Sequence, residues 1–318
     1  VRVERNYWPR VGFGIGLGAV LYVFGFTAFL FVLPLLLLTD QLVSLEEKLL
    51  PFGLLAIVVF LVELIPQLST LGQPLGKGLL AMGLFLPVAL IGSSVIWTIL
   101  KKIDVLSRFL ICASFIGLVI VIFGVWFMRH DASVQALDKQ YIDLLNSMFT
   151  TVGSDGNQKL VMGVEPVQLY YLLKHVIASL LLPVVAAFFG FSAFLQLASR
   201  FRDSMEFTRK ISDFHIPSDY VWFFLCAWLA FVAVAKFGNN QILSIVVLNI
   251  ALFFALVYAI QGMSIVTYRM VHKGKQVSAV KLFVITGLLA ILLPGLNIVI
   301  VFVFPLLGVM ETWFTLRK

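Results

Sequence analysis

Residues 242–268 read ILSIVVLNIALFFALVYAIQGMSIVTY, 27 consecutive positions without a charge. Wound as a helix at about 1.5 Å per residue, the stretch is about 40 Å long, more than the roughly 30 Å of hydrocarbon in a bilayer. It reads as a membrane span. Similar apolar runs cover residues 11–38, 51–68, 78–100, 109–128, 171–198, 219–236 and 282–308. Hydrophobic residues make up 61% and charged residues 12% of the 318, against roughly 45–50% and 25% in soluble domains. The runs are too long and too uniform for barrel strands, so the backbone must be satisfied inside helices. The expected fold is all-α: a polytopic transmembrane bundle of about eight spans, with 1–318 forming a single integral membrane domain.

A net charge of +7 would suggest nucleic acid in a soluble protein, but here the cations cluster in short loops beside the spans. That placement reports orientation and anionic membrane lipid, not nucleic acid. Lys101, Lys102 and Arg108, then Arg200, Arg202, Arg209 and Lys210, then Arg269, Lys273, Lys275 and Lys281 mark three loops as cytoplasmic. The loops around Lys77 and Lys236, and the segment 129–170, are then external. Simple alternation would put the basic head (Arg2, Arg5, Arg10) and tail (Arg317, Lys318) outside, against the charge rule. Two resolutions stand. The first run, with Gly25 and Pro34, and the last, with Pro294 and Gly295, fold back as re-entrant or hairpin-like segments, or each is one tilted helix.

The external segment 129–170 carries Val134, Leu137, Tyr141, Leu144, Leu145 and Met148 at three- and four-residue steps behind Ser133. This spacing predicts an amphipathic helix over 133–149 with Ser133 as N-cap, ended by the turn-rich 153–157. Such a helix either lies on the membrane surface or caps a cavity between spans.

Polar groups within the spans are costly and are the first candidates for function. Glu63 lies near the outer end of its run, and Lys174 and His175 begin another on the same side. Together they are a candidate ligand site, with an interfacial ion pair as the plain alternative. Asn249 and Gln261 are candidate ligand amides, and Gln196 and Asn297 are of the same kind. Amides at such depths also serve as interhelical hydrogen bonds. Gly12, Gly14, Gly16 and Gly18 form two small-xxx-small pairs, a surface for close helix packing, within the chain or with a partner chain. Cys112 and Cys226 read as small core residues. His130, His175, His215 and His272 have no ligand spacing, and no zinc, phosphate-loop or paired-carboxylate motif is present. The expectation is a non-enzyme without metal or cofactor.

The run from Asn249 to Arg269 centred on Gln261 and Gly262, the run Leu307 to Arg317 with Gly308, Glu311 and Trp313, and Asp213 to Pro217 resemble the YybS-like family of bacterial membrane proteins (domain of unknown function 2232). Glu311 stands where Asp is expected, and Phe214-His215 where Trp is common. That family is thought to be distantly similar to the substrate-binding subunits of energy-coupling-factor vitamin transporters. The resemblance implies a bacterial inner-membrane protein that binds a small polar solute or lipid and acts with other membrane chains. The competing expectation is a structural or assembly subunit of a membrane complex.

Overall fold

The computed structural model describes residues 7–42, 44–152, 165–238, 240–275, 277–292 and 296–317, with the side chains of 149–152, 288, 290–292 and 296–299 left aside. Everything described is helix or connecting turn. Two compact units make up the chain, Val1–Phe189 and Gly190–Lys318.

In the first unit, α1 (Tyr7–Val23) ends at a turn where Gly25 has φ +41°, a 3₁₀ helix follows (Gly25–Leu30), and α2 (Leu33–Thr39) returns along α1. A positive φ of this kind suits glycine, and Gly25 has open space around it. The return is antiparallel: a side chain at Gly18 would meet the Phe31 carbonyl, and one at Gly14 would meet Leu35 and Leu38. The first apolar run is therefore a hairpin. Its ends lie together, since the Tyr7 hydroxyl donates to the Glu47 carbonyl at 3.0 Å and Asp40 pairs with Lys101 at 2.8 Å. Arg10 thus falls on the side of the basic 101–108 loop, in keeping with the charge rule.

Next come α3 (Leu45–Gln67), α4 (Pro74–Ile99) and α5 (Val105–Arg129). Ser44 opens α3 with a capping box, its Oγ accepting from Glu47 N and its N–H donating to the Glu47 carboxylate. Asp104 caps α5 through Ser107 N at 2.9 Å, and this hydrogen bond holds its carboxyl below the usual range. The spans α4 and α5 are joined by a reciprocal pair: Ser93 Oγ donates to the Cys112 carbonyl (3.5 Å), and Cys112 Sγ to the Ser93 carbonyl (3.4 Å). Arg108, expected in the loop, is instead buried in α5 with its guanidinium 3.4 Å from the centre of the Trp97 ring. Stacking on an aromatic face lets a weakly hydrated guanidinium leave water.

The amphipathic helix is present as α6 (Asp131–Val152). It starts two residues earlier than expected, so Ser133 is a buried helical residue and not the N-cap. Leu137, also buried, packs on Gly78 of α4, where an added side chain would lie 2.8 Å from Leu137 Cδ1. The expected terminator 153–157 lies outside the described residues.

From α7 (Pro166–Ser199) the chain enters the second unit, with α8 (Ser204–Ser212), α9 (Tyr220–Phe237), α10 (Gln241–His272), α11 (Ala279–Leu292) and α12 (Leu296–Met310). The last apolar run is described as α11 and α12, and 293–295 lie outside the described residues. Gly262 and Gly308 let α10 and α12 touch backbone to backbone: a Cβ on Gly262 would strike the Phe304 carbonyl, and one on Gly308 the Tyr258 carbonyl. Past this crossing both segments advance in the same sense, because Gln261 reaches the Gly308 carbonyl while Arg269 reaches that of Leu316. The intervening α11 therefore carries the chain back.

Six described helices are long and apolar enough to cross a membrane: α3, α4, α5, α7, α9 and α10. The first terminal run, expected as one of about eight spans, is divided into helices shorter than 18 residues, and the described parts of the last, Ala279–Leu292 and Leu296–Met310, are each shorter than that as well. Of the two cysteines, Cys112 is buried as expected, but Cys226 lies on the exposed face of α9.

Candidate solute pocket

Glu63 sits four residues before the end of α3, about 6 Å along the helix axis. Its carboxylate accepts a hydrogen bond from the Tyr22 hydroxyl of α1, which also lies 3.3 Å from the Gly83 carbonyl of α4. Gly83 is what admits the carboxylate, since a Cβ at this position would overlap Glu63 Oε2. Three helices thus bring one acid, one phenol and one bare backbone together. The hairpin is the reason Tyr22 gets there, because α1 runs beside α3 from Tyr7 at Glu47 to Tyr22 at Glu63.

Around this group opens a pocket of about 430 Å³, walled by Val23, Ala28, Val62, Met82 and Leu86 with Gly25 at the turn. This is within the size range of small-molecule sites, and the pattern of apolar walls with a few convergent polar atoms is theirs as well. The pocket belongs to the half of the unit remote from the Asp40–Lys101 pair.

Lys174 and His175 do not join Glu63. Lys174 Nζ is held by Asp138 of α6 at 2.7 and 2.9 Å, and the Tyr170 hydroxyl donates to the same carboxylate at 2.5 Å. That cluster ties α6 to the start of α7. His175 gives its backbone carbonyl to Ser179. A second cavity of about 290 Å³ lies where α4 begins and α5 passes into α6, and it includes Lys77, Arg129, His130 and Asp131.

The two candidate amides are buried in α10. Asn249 donates to the Ile245 carbonyl at 2.9 Å. Gln261 is at the centre of a network: its Oε1 accepts from Ile216 N (2.9 Å), and its Nε2 donates to the Gly308 carbonyl (3.1 Å) and to Glu311 (3.0 Å). Arg317 closes the ring, donating to the carbonyls of Ser212 (2.7 Å) and Phe214 (2.5 Å) and to Ser264 Oγ (3.0 Å). Its Nε is 2.7 Å from Glu311 Oε1, an ion pair by distance without the angle of a hydrogen bond. The amide of Gln261 is fully engaged by the protein, so it acts as a lock between segments far apart in sequence. The Asn297 side chain lies outside the described residues.

The helix-one glycines divide. Gly14 and Gly18 are buried against α2 and α3, whereas Gly12 and Gly16 have nothing within 4 Å. Among the described residues no three His, Cys, Asp or Glu side chains gather as a metal site.

Spanning-length helices, apolar outward faces and a polar group enclosed among three of the helices define a polytopic membrane protein. Residues 16–301 match the family model described as a predicted membrane protein, DUF2232, and the chain belongs to that family. Comparison with curated proteins and with solved structures gives no match.

Proposed function

We propose that the protein binds a small polar solute within the membrane and hands it to, or receives it from, partner chains in a bacterial inner membrane. The observation that carries this reading is the pocket around Tyr22, Glu63 and Gly83. A carboxylate at this depth is expensive unless it has work to do or a partner, and apolar packing alone would have been served by a leucine. The reading agrees with the YybS-like resemblance, which suggests a solute-binding subunit related to those of energy-coupling-factor transporters. Membrane lipid is the surrounding phase. In this reading the first hairpin and the last apolar run stand beside the six spanning helices.

The test is native mass spectrometry of the protein in lipid nanodiscs. A retained small molecule is expected in the wild type and absent from Ala28→Leu and Val62→Phe, two variants that fill the pocket from different walls. Identical spectra for all three, with the variants folded, would overturn the reading. A structural or assembly role is favoured by a different observation, the uncovered Gly12 and Gly16 on α1. Under that role Gly12→Leu and Gly16→Leu lose partner chains on purification while the pocket variants keep them.

A further inference from the structure

Resting on the solute-binding reading above, we infer that the pocket selects a small organic ammonium ion, a primary amine in its protonated form carried on a compact apolar body. Among the described residues Glu63 forms no ion pair, unlike Asp40, Asp138 and Glu311, each of which has a lysine or arginine. Its one hydrogen-bond donor is the Tyr22 hydroxyl. A carboxylate offers about four lone-pair sites, so most of its accepting capacity is unused. The free capacity faces the cavity that Glu63, Tyr22 and Gly83 line together.

Three acceptors converge there: the Glu63 carboxylate, the Gly83 carbonyl and the Tyr22 oxygen, the last two 3.3 Å apart. A primary ammonium has three N–H donors and no acceptor, which matches this set in number and sign. Tyr22 keeps its proton on Glu63 and accepts from the ligand. A bound metal cation fits less well, since hard cations take six or more oxygens and only these few are at hand. A carboxylate or phosphate ligand would meet the Glu63 charge with no cation on the wall. The remaining lining, Val23, Ala28, Val62, Met82 and Leu86, offers an apolar slot for the body of the molecule.

Three probes with one shape and different charge test the idea: n-butylammonium, butan-1-ol and butyrate, titrated into the full chain in zwitterionic nanodiscs with calorimetry and thermal unfolding as readouts. The ammonium should bind at least tenfold more tightly than the other two. Glu63→Gln, which keeps the shape and removes the charge, should erase that preference, while Tyr22→Phe should weaken binding and keep it. Equal binding of ammonium and alcohol, or an ammonium preference that survives in Glu63→Gln, overturns the charge class and leaves solute binding standing. Binding by none of the three, alongside a retained molecule in the mass spectra, also overturns it. Loss of that retained molecule from the wild-type spectra is the separate failure of the underlying reading.

Discussion

Gly18 and Gly83 are both small for a reason that can be measured. At Gly18 the neighbour is the backbone carbonyl of Phe31, 2.8 Å from where a Cβ would sit, and backbone cannot swing aside. Gly18→Ala should therefore lower stability by about 1–3 kcal/mol, the usual cost of overpacking. Gly16→Ala, with open space around it, should be neutral or stabilising by up to about 1 kcal/mol through helix propensity. Comparative unfolding in nanodiscs decides; equal effects of the two changes would contradict the hairpin packing. At the second lock, Gln261→Leu leaves the Ile216 N–H without its acceptor and removes a donor to Glu311. A loss of about 1–3 kcal/mol is expected, with the second unit becoming protease-sensitive first. Glu63 was legible in the sequence as an acid inside a span. Tyr22 was not, because 41 residues separate it from Glu63 and a tyrosine at a membrane boundary is ordinary. Lys174 was legible too, but its partner Asp138 lies on the external helix, so sequence pointed it to the wrong acid.

Among the elements, α6 shows what periodicity can and cannot deliver. Its apolar spacing announces a helix, and the dock follows from one residue, Leu137 against Gly78. Leu137→Ala should release the helix from α4 at a cost of about 2 kcal/mol or more, seen as faster hydrogen exchange over 131–148. Asp138→Asn removes the charge from a half-exposed pair that also holds the Tyr170 hydroxyl and should cost about 1 kcal/mol. The N-terminal cap of α5 has a pH signature. Hydrogen bonding to Ser107 N lowers the Asp104 carboxyl below its unfolded value, so its stabilisation is complete above the ordinary aspartate range and fades as pH falls through the lowered folded value. Asp104→Ala should cost about 1 kcal/mol at neutral pH, and progressively less in strong acid. Helix α8 was invisible as an element in the loop-charge reading, where its Arg209 and Lys210 counted only as cations.

For the molecule as a whole, orientation is the claim most open to test. With Cys112 and Cys226 replaced, an impermeant thiol reagent applied to intact cells should leave Asp104→Cys, Met205→Cys and Arg10→Cys unlabelled and modify Asp155→Cys. Arg10 is the informative position, since a single tilted first helix would expose it and the hairpin hides it. The helical class and the positions of the inner spans follow from hydropathy, because a bilayer punishes any other arrangement of such runs. The terminal runs resisted the same reading. Whether 28 apolar residues cross once or turn halfway depends on a single glycine at positive φ and on contacts made by residues far away, which no window average contains.

The turn of the first hairpin, from Phe24 to Phe31, contains no ionisable side chain. In the bilayer this has a direct effect: the turn can lie in hydrocarbon, and no charged loop has to reach the opposite face. Because both of its ends lie at one face, the hairpin presents no charged group at the other, and Arg10 and Asp40 share a single aqueous boundary.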